Sequence, residues 1–323
     1  MGHGQAPVTR VTTWGLRAPV HRPAQRVRLE QPAGRTALLR DAIRLPADGT
    51  PAPILVAGSR EPGRVPLVFT FMSHPVDLLR RALAAEPSRP LVTFYDDATG
   101  ERVEFSVKTF DNWVAKTANL LVDGLGAEPG AKVVLALPQH WQTAVWLFAC
   151  WSAGLTAVPV DEGDIPADAD IVAAAPGRLP AALSTGAEVV GLSLHSLGAP
   201  LDECPPGVTD YAIEVRAYGD RFGAAVSPDA PVVELDGEIM TGAQLVAAGE
   251  ALGLPRATRM LTTVSYATWE GLLSGLIGPL TSQGSVIICQ NPDQTQLDQR
   301  ISLERATAVI HPGSTHPATR PSL

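Results

Sequence analysis

The residues best able to do chemistry are few, and their spacing does not bring them together. Five acids, Asp161, Glu162, Asp164, Asp168 and Asp170, crowd one short segment and invite a metal reading. Their spacing fits no EF-hand register, and no His or Gly stands in a liganding position, so the segment reads as a solvated loop with no metal. His195 lies in GLSLHSLG beside Ser193 and Ser196, a pairing that could serve nucleophilic catalysis. However, Gly191-x-Ser193-x-His195 is not the G-x-S-x-G elbow and nothing marks an acid partner, so a surface or structural histidine is expected. Gly124, Gly126 and Gly130 follow a helix pattern rather than a strand and lack the G-x-G-x-x-G spacing, which makes them helix stops rather than a dinucleotide loop. Only three lysines, Lys108, Lys116 and Lys132, stand against 22 arginines (25 − 3), so any phosphate-handling lysine must be one of these.

The elements that would position such residues are clearest between Lys132 and Asp161. Val133 to Leu137 is a wholly apolar run, as in a parallel strand buried on both faces. Pro138 stops it. From Gln139 the apolar residues Trp141, Val145, Phe148 and Trp151 recur every three or four positions until Gly154, which suits a left-handed helix stop. Leu155 to Val160 closes the unit as a second strand, parallel to the first because the crossover is long. A transmembrane span is the competing reading, since no charge falls between Val133 and Val160. Pro138, Gln139, His140, Gln142 and Pro159 interrupt it, so no membrane association is expected.

Composition narrows the classes further. The 323 residues are 45% hydrophobic and 18% charged, enough for a sizeable core. Residues 1–71 hold ten Arg, no Lys and four acids, net +6, which leaves the remainder at −14 (−8 − 6). An acidic body argues against nucleic acid as a partner. Cys150, Cys204 and Cys289 are scattered and odd in number, which points to a reduced, cytoplasmic setting. The Arg- and Pro-rich stretch 1–71 shows no sustained period and is expected to be disordered, either as a basic arm or as an extension ahead of a start at Met72.

In chain order, Ser73 is expected to cap a helix carrying Val76, Leu79 and Leu83. Leu91–Tyr95 and RVEFS (102–106) form a hairpin, and a helix opens at Thr109. After the βαβ unit, Ile171–Ala175, a helix from Arg178 to Ser184, and Glu188–Leu192 extend the same sheet. TDYAIEV (209–215) reads as a short strand in a long connection. Val232–Leu235, Asp236-Gly237 and Glu238–Met240 make a tight hairpin, and Thr241 with Gln244 has capping-box spacing for the next helix. Strand 259–264, helix 268–280, strand 285–289 and helix 297–304 follow, with the tail from Gly313 frayed.

This succession resembles the N-terminal half of the adenylate-forming superfamily, which includes acyl-CoA synthetases, peptide-synthetase adenylation domains and luciferases. The resemblance is carried by LVTFY…RVEFS, TFDNWVAKTANLLVDGLG, GAKVVLALPQHWQTAVWLFACWSAGLTAVPVD and TTVSYATWEGLLSGLIGPLTSQGSVIIC, from about Met72 to Ile310. More closely, it is similar to a group of short actinobacterial AMP-binding-like proteins. It implies an α/β domain over 72–310 with parallel-sheet βαβ layers, truncated relative to the large N-terminal domain of those enzymes, followed by a tail at 311–323.

The family's Ser/Thr/Gly-rich phosphate loop, ending in Pro-Lys-Gly, would fall at Val232–Val246. That stretch has no Lys or Ser, and it carries Glu234, Asp236 and Glu238, which would repel a triphosphate. The family's Tyr-Gly-x-Thr-Glu motif, ribose-binding Asp and C-terminal domain with its catalytic Lys have no counterpart in these residues. The resemblance therefore implies a degenerate domain without adenylation activity of its own, acting as a binding or scaffold module, with no catalytic residues. No cofactor is expected, and ATP or AMP binding is disfavoured. The alternative is a ligase half completed by a protein partner docking where the missing portion would sit. Ser265, Tyr266, Trp269 and Glu270, at the carboxyl end of a parallel strand, are the pocket candidates, set against an ordinary helix start with Trp269 in the core.

Overall fold

The computed structural model describes residues 73–312, apart from 196–197 and 224–225, together with the short strand Ala318–Thr319. The expectation for residues 1–71 lies outside the described residues, as does most of the expected frayed tail. α1 (Pro75–Ala85) is capped by His74 and not by Ser73. The residue before a proline is held extended, which is the N-cap conformation, and Pro75 occupies the first turn where its missing N–H costs nothing. His74 Nδ1 accepts the Val76 N–H at 3.3 Å, and Asp77 reaches back to the His74 N–H at 3.0 Å.

β1 (Pro90–Asp96) and β2 (Glu101–Ser106) form the expected hairpin. α2 (Val107–Asn119) starts two residues before Thr109, because Ser106 Oγ caps it by accepting the Thr109 N–H at 3.1 Å. It continues through a π-turn, Leu120–Gly124. β3 (Lys132–Ala136), α3 (Trp141–Ala153) and β4 (Thr156–Pro159) are the βαβ unit, with parallel strands and Gly154 at φ +73°. α3 is not amphipathic: all thirteen residues are buried, as befits a helix packed on every side.

β5 (Ile171–Ala174), the short α4 (Leu179–Leu183), β6 (Glu188–Gly191) and β7 (Val208–Asp210) follow. The expected strand 209–215 ends at Asp210, and Tyr211–Glu214 turns into a helix, α5. Asp210 Oδ1 accepts the N–H groups of Ala212 and Ile213, so a local side-chain cap outcompetes β-propensity. β8 (Pro231–Leu235) and β9 (Glu238–Thr241) pair around Asp236 and Gly237, both at positive φ as a type I′ turn requires. α6 (Gly242–Ala251), β10 (Arg259–Thr262) and α7 (Trp269–Leu272) come next. α7 runs through a π-turn (Leu273–Ile277) into α8 (Gly278–Thr281). β11 (Ser285–Gln290), α9 (Gln294–Leu303), β12 (Ala308–Ile310) and β13 (Ala318–Thr319) complete the described chain.

The strands form two sheets, and β5 and β6 extend the sheet of the βαβ unit as expected. A seven-stranded sheet has the order β7-β6-β5-β3-β4-β8-β9, and a six-stranded sheet has β13-β12-β10-β11-β1-β2. β1 pairs in parallel with β11, Val92 opposite Val286, so the early hairpin joins the late strands. Side-chain alternation then stacks the layers. Val133, Leu135 and Val233 of one sheet and Val92, Phe94 and Ile288 of the other share a core with α1, α2 and α3. The opposite face of the larger sheet, Val134, Val158 and Val172, packs against Leu179 and Ala182 of α4. The opposite face of the smaller sheet, Leu261, Ile287 and Cys289, packs against Leu297 of α9. Among the described residues, no helix is long and apolar enough to cross a membrane.

Candidate functional site

The turn after β3 touches the end of β10, in the other sheet. Gln139 Nε2, just past β3, donates to Thr262 Oγ1 at the end of β10 (3.2 Å), and that hydroxyl also accepts the Val264 N–H. The chain then turns through the four pocket candidates into α7. Ser265 is occupied with the turn: its Oγ accepts the Ala267 N–H and its carbonyl accepts from Thr268 Oγ1 at 2.9 Å. Thr268 caps α7 by accepting the Gly271 N–H at 3.1 Å. A Cβ on Gly271 would stand 2.0 Å from the Ser265 carbonyl oxygen, so glycine is what lets the helix start press onto the turn.

Trp269 is partly buried against the main core, as an ordinary helix start would place it. Tyr266 and Glu270 differ. Tyr266 is 1% exposed with no hydrogen-bond partner for its hydroxyl among the described residues, and burial pushes its pKa up. Glu270 Oε1 is likewise buried and unpartnered, and burial raises its carboxyl above the usual range. The four fall within residues 265–270, but none lines the cavity of about 300 Å³ that opens between α1, α2, α3 and residues 220–222. Sequence reasoning missed that cavity, because its half-buried carboxylate, Asp111, looks like the polar face of an amphipathic helix.

The segment standing at the phosphate-loop position is closed upon itself. Its first acid, Glu234, is paired with Lys132 at 3.0 Å, and the same Lys132 Nζ holds Asp168 at 2.6 Å. Asp168 and Glu234 in turn raise the Lys132 pKa. Asp236 and Glu238 are exposed at the hairpin tip. The N-terminus of α6, where an anion could bind, has its amides spoken for. Thr241 N–H donates to Gln244 Oε1 (2.9 Å) and Gln244 N–H to Thr241 Oγ1 (3.3 Å), the capping box expected from the spacing. Gly242 N–H donates to the Ala230 carbonyl (3.1 Å), and Ala243 N–H to that of Pro228 (2.8 Å). These are the donors a helix start would otherwise turn to a phosphate.

The remaining candidates are apart from this region. Lys116 Nζ donates to the Tyr218 carbonyl at 2.5 Å, and Lys108 is exposed. In the acidic segment Asp161, Glu162 and Asp164 are exposed, while Asp170 accepts the Lys132 N–H at 2.7 Å. No group of acids, His or Cys able to hold a metal occurs among the described residues. His195 is exposed, and Ser193 Oγ donates to the Ala199 carbonyl at 2.6 Å, bracing its own loop; Ser196 lies outside the described residues.

Against known proteins, the family model described as AMP-binding enzyme matches residues 79–171. The fold is that of solved acyl-CoA ligases. An anthranilate CoA ligase, AuaEII, solved with anthranoyl-AMP, has a TM-score of 0.61 at 16% identity, over 73% of this chain and 49% of that one. An acyl-CoA synthetase of Brucella canis gives 0.63 at 14% identity, over 74% and 47%. A benzoate CoA ligase from Burkholderia xenovorans LB400 gives 0.59 at 18% identity, over 73% and 50%. The chain thus spans about half the length of these ligases. A TIGR03089 family protein of Mycobacterium tuberculosis is 41% identical over 238 residues, covering 72% of this chain and 96% of that protein. On that match the chain belongs to the TIGR03089 family, an AMP-binding-like domain related to the adenylate-forming ligases.

Proposed function

We propose that this chain is a degenerate adenylate-forming-like domain that does not adenylate by itself and serves as a binding or scaffold module. The observation that carries this reading is the consumption of the α6 N-terminal amides by Gln244, Ala230, Pro228 and Thr241. A nucleotide triphosphate needs free backbone donors and a positive charge beside them. Here the donors are satisfied internally, the hairpin leading to them carries Glu234, Asp236 and Glu238, and Lys132 is held by two carboxylates. The residues present do not fit ATP at this position.

The alternative, a ligase half completed by a second chain, calls for a broad apolar docking face. The exposed large hydrophobics among the described residues are Leu183, Ile213, Ile239 and Leu303, one each on α4, α5, β9 and α9, which favours a domain closed on itself. The cysteines are free, and Cys150 and Cys289 are buried, in keeping with a reducing, cytoplasmic setting. Isothermal titration of ATP-Mg²⁺ and of a non-hydrolysable acyl-adenylate analogue into the full chain tests the reading, which requires that neither bind.

A further inference from the structure

β9 is an outer strand of the seven-stranded sheet, and the hairpin that carries it is held from behind. β8 pairs with β4, and Trp151 Nε1 of α3 donates to the Val232 carbonyl at 2.9 Å. Leu235 and Glu238 flank the two-residue turn and face each other as its hydrogen-bonded pair. Pairs alternate along an antiparallel ladder, so Glu234 and Ile239 form a non-hydrogen-bonded pair, and the Ile239 N–H and C=O point away from β8. The Ile239 side chain beside them is 48% exposed. At the opposite edge of the same sheet, β7 is closed by its own loop: the Leu201 N–H donates to Asp210 Oδ2 (2.8 Å) and Cys204 Sγ to the Val208 carbonyl (3.2 Å). No described residue closes the Ile239 edge in this way. Charge then selects what could. Residues 231–241, PVVELDGEIMT, hold three acids and no Lys, Arg or His. Lys132 answers Glu234, whereas Asp236 and Glu238 are exposed at the tip and pair with no described cation. Acids on an edge strand set like charges against a second copy of the same chain, so the strand that fits is a different and basic one.

We propose that the β9 edge takes up an extended basic segment of a partner protein as an added strand, with an apolar side chain beside Ile239 and Lys or Arg side chains against Asp236 and Glu238. The proposal gives the binding-module reading a partner class and rests on it; peptide and ATP are titrated separately, so either can fail alone. The test is titration of the capped peptide KVRIRVK into the full chain, followed by fluorescence anisotropy. Its matches are EVEIEVE, which reverses the charge, and KVRIRVK with alternate backbone nitrogens methylated, which keeps the charge and removes the strand's donors. The expected result is saturable one-site binding of KVRIRVK with a dissociation constant of about 1 mM or tighter, at least about tenfold tighter than either match. The Ile239 amide should exchange with solvent more slowly once the peptide is bound. Ile239→Pro removes only the outward N–H, at an edge position where proline is tolerated, and Glu238→Lys reverses an exposed charge. Each should weaken binding at least about tenfold at an unchanged melting temperature. Should Ile239→Pro unfold, Glu238→Lys decides. A dissociation constant weaker than about 1 mM, equal binding of either match, or undiminished binding by a folded variant would overturn the proposal. So would a mass that doubles with concentration and reverts in Ile239→Pro, which gives the edge to a second copy. An Ile239 amide already slow to exchange in the monomer without peptide would overturn it too, by giving the edge to the chain's own residues.

Discussion

Replacing Glu304 by Gln should loosen the strap that ties α9 to the six-stranded sheet. The Glu304 side chain is 7% exposed, and its carboxylate receives Arg102 Nη2 (2.9 Å), Arg259 Nη2 (2.5 Å) and Tyr95 Oη (2.5 Å). Those partners lie on β2, β10 and β1, so one carboxylate joins three strands to the end of one helix. Glutamine keeps the shape, removes the charge and turns an amide donor toward guanidinium groups that need acceptors. Breaking a buried ion pair from one side costs about 3–5 kcal/mol. The lower end applies here, because Arg102 is 45% exposed and can turn to water, whereas Arg259 at 18% cannot do so as easily.

A loss of about 3 kcal/mol lowers the melting temperature of a domain this size by about 6–12 °C, read by circular dichroism at pH 7. Arg102→Leu leaves the Arg259 pair intact and should cost no more than about 1 kcal/mol. Burial alone would raise the Glu304 carboxyl, but hydrogen bonds from Tyr95, Arg259 and Arg102 bring it below the usual range. Its contribution is therefore complete above about pH 4.5 and fades as pH falls through the lower folded value. A shift under about 2 °C for Glu304→Gln, or one no larger than for Arg102→Leu, would refute the reasoning.

Acid should weaken the fold through two histidines as well. His74 and His140 are each 1% exposed, and burial lowers their pKa values to about 4 and about 3. Each Nδ1 accepts a backbone N–H, from Val76 and Gln142 respectively, while Nε2 has no partner among the described residues. Both rings are thus neutral when folded. The unfolded chain takes up protons first, so their contribution is complete above about pH 6.5 and is lost as pH falls toward 4 and then 3. Denaturant midpoints measured between pH 7 and pH 4 should fall steadily, and a flat profile would contradict the assignment. Gly271→Ala sets a Cβ 2.0 Å from the Ser265 carbonyl oxygen and should cost about 1–3 kcal/mol by overpacking, as read by urea unfolding; an unchanged midpoint would contradict the close approach.

How much of this was legible in the sequence depended on how local each cause was. The βαβ unit was readable because Val133–Leu137 is continuously apolar and Gly154 closes the helix within the same stretch. The 231–241 hairpin was readable because Asp236-Gly237 suits the left-handed turn that both residues adopt. Thr241 and Gln244 gave the capping box for the same reason. What escaped was non-local or decided by one competing side chain. The division into two sheets escaped because β1 finds its partner 194 positions later (286 − 92), and no periodicity reports such a pairing. Tyr211–Glu214 folds as a helix because the Asp210 carboxylate offers a cap that strand-like residues obscured. The same holds for the candidate sites. The acids at 234, 236 and 238 were visible, but the closure of the α6 amides by Ala230 and Pro228 required the folded loop. The Asp111 cavity required three helices and a remote segment to come together.

The most direct test of the central claim is isothermal titration of ATP-Mg²⁺ and a non-hydrolysable acyl-adenylate analogue into the full-length protein, with folding confirmed by circular dichroism. With the α6 donors consumed and carboxylates on the adjoining hairpin, no saturable heat is expected at ligand concentrations up to about 1 mM. Saturable binding of either ligand with a dissociation constant of about 100 μM or tighter would contradict the account and make the chain a nucleotide-binding half of a ligase.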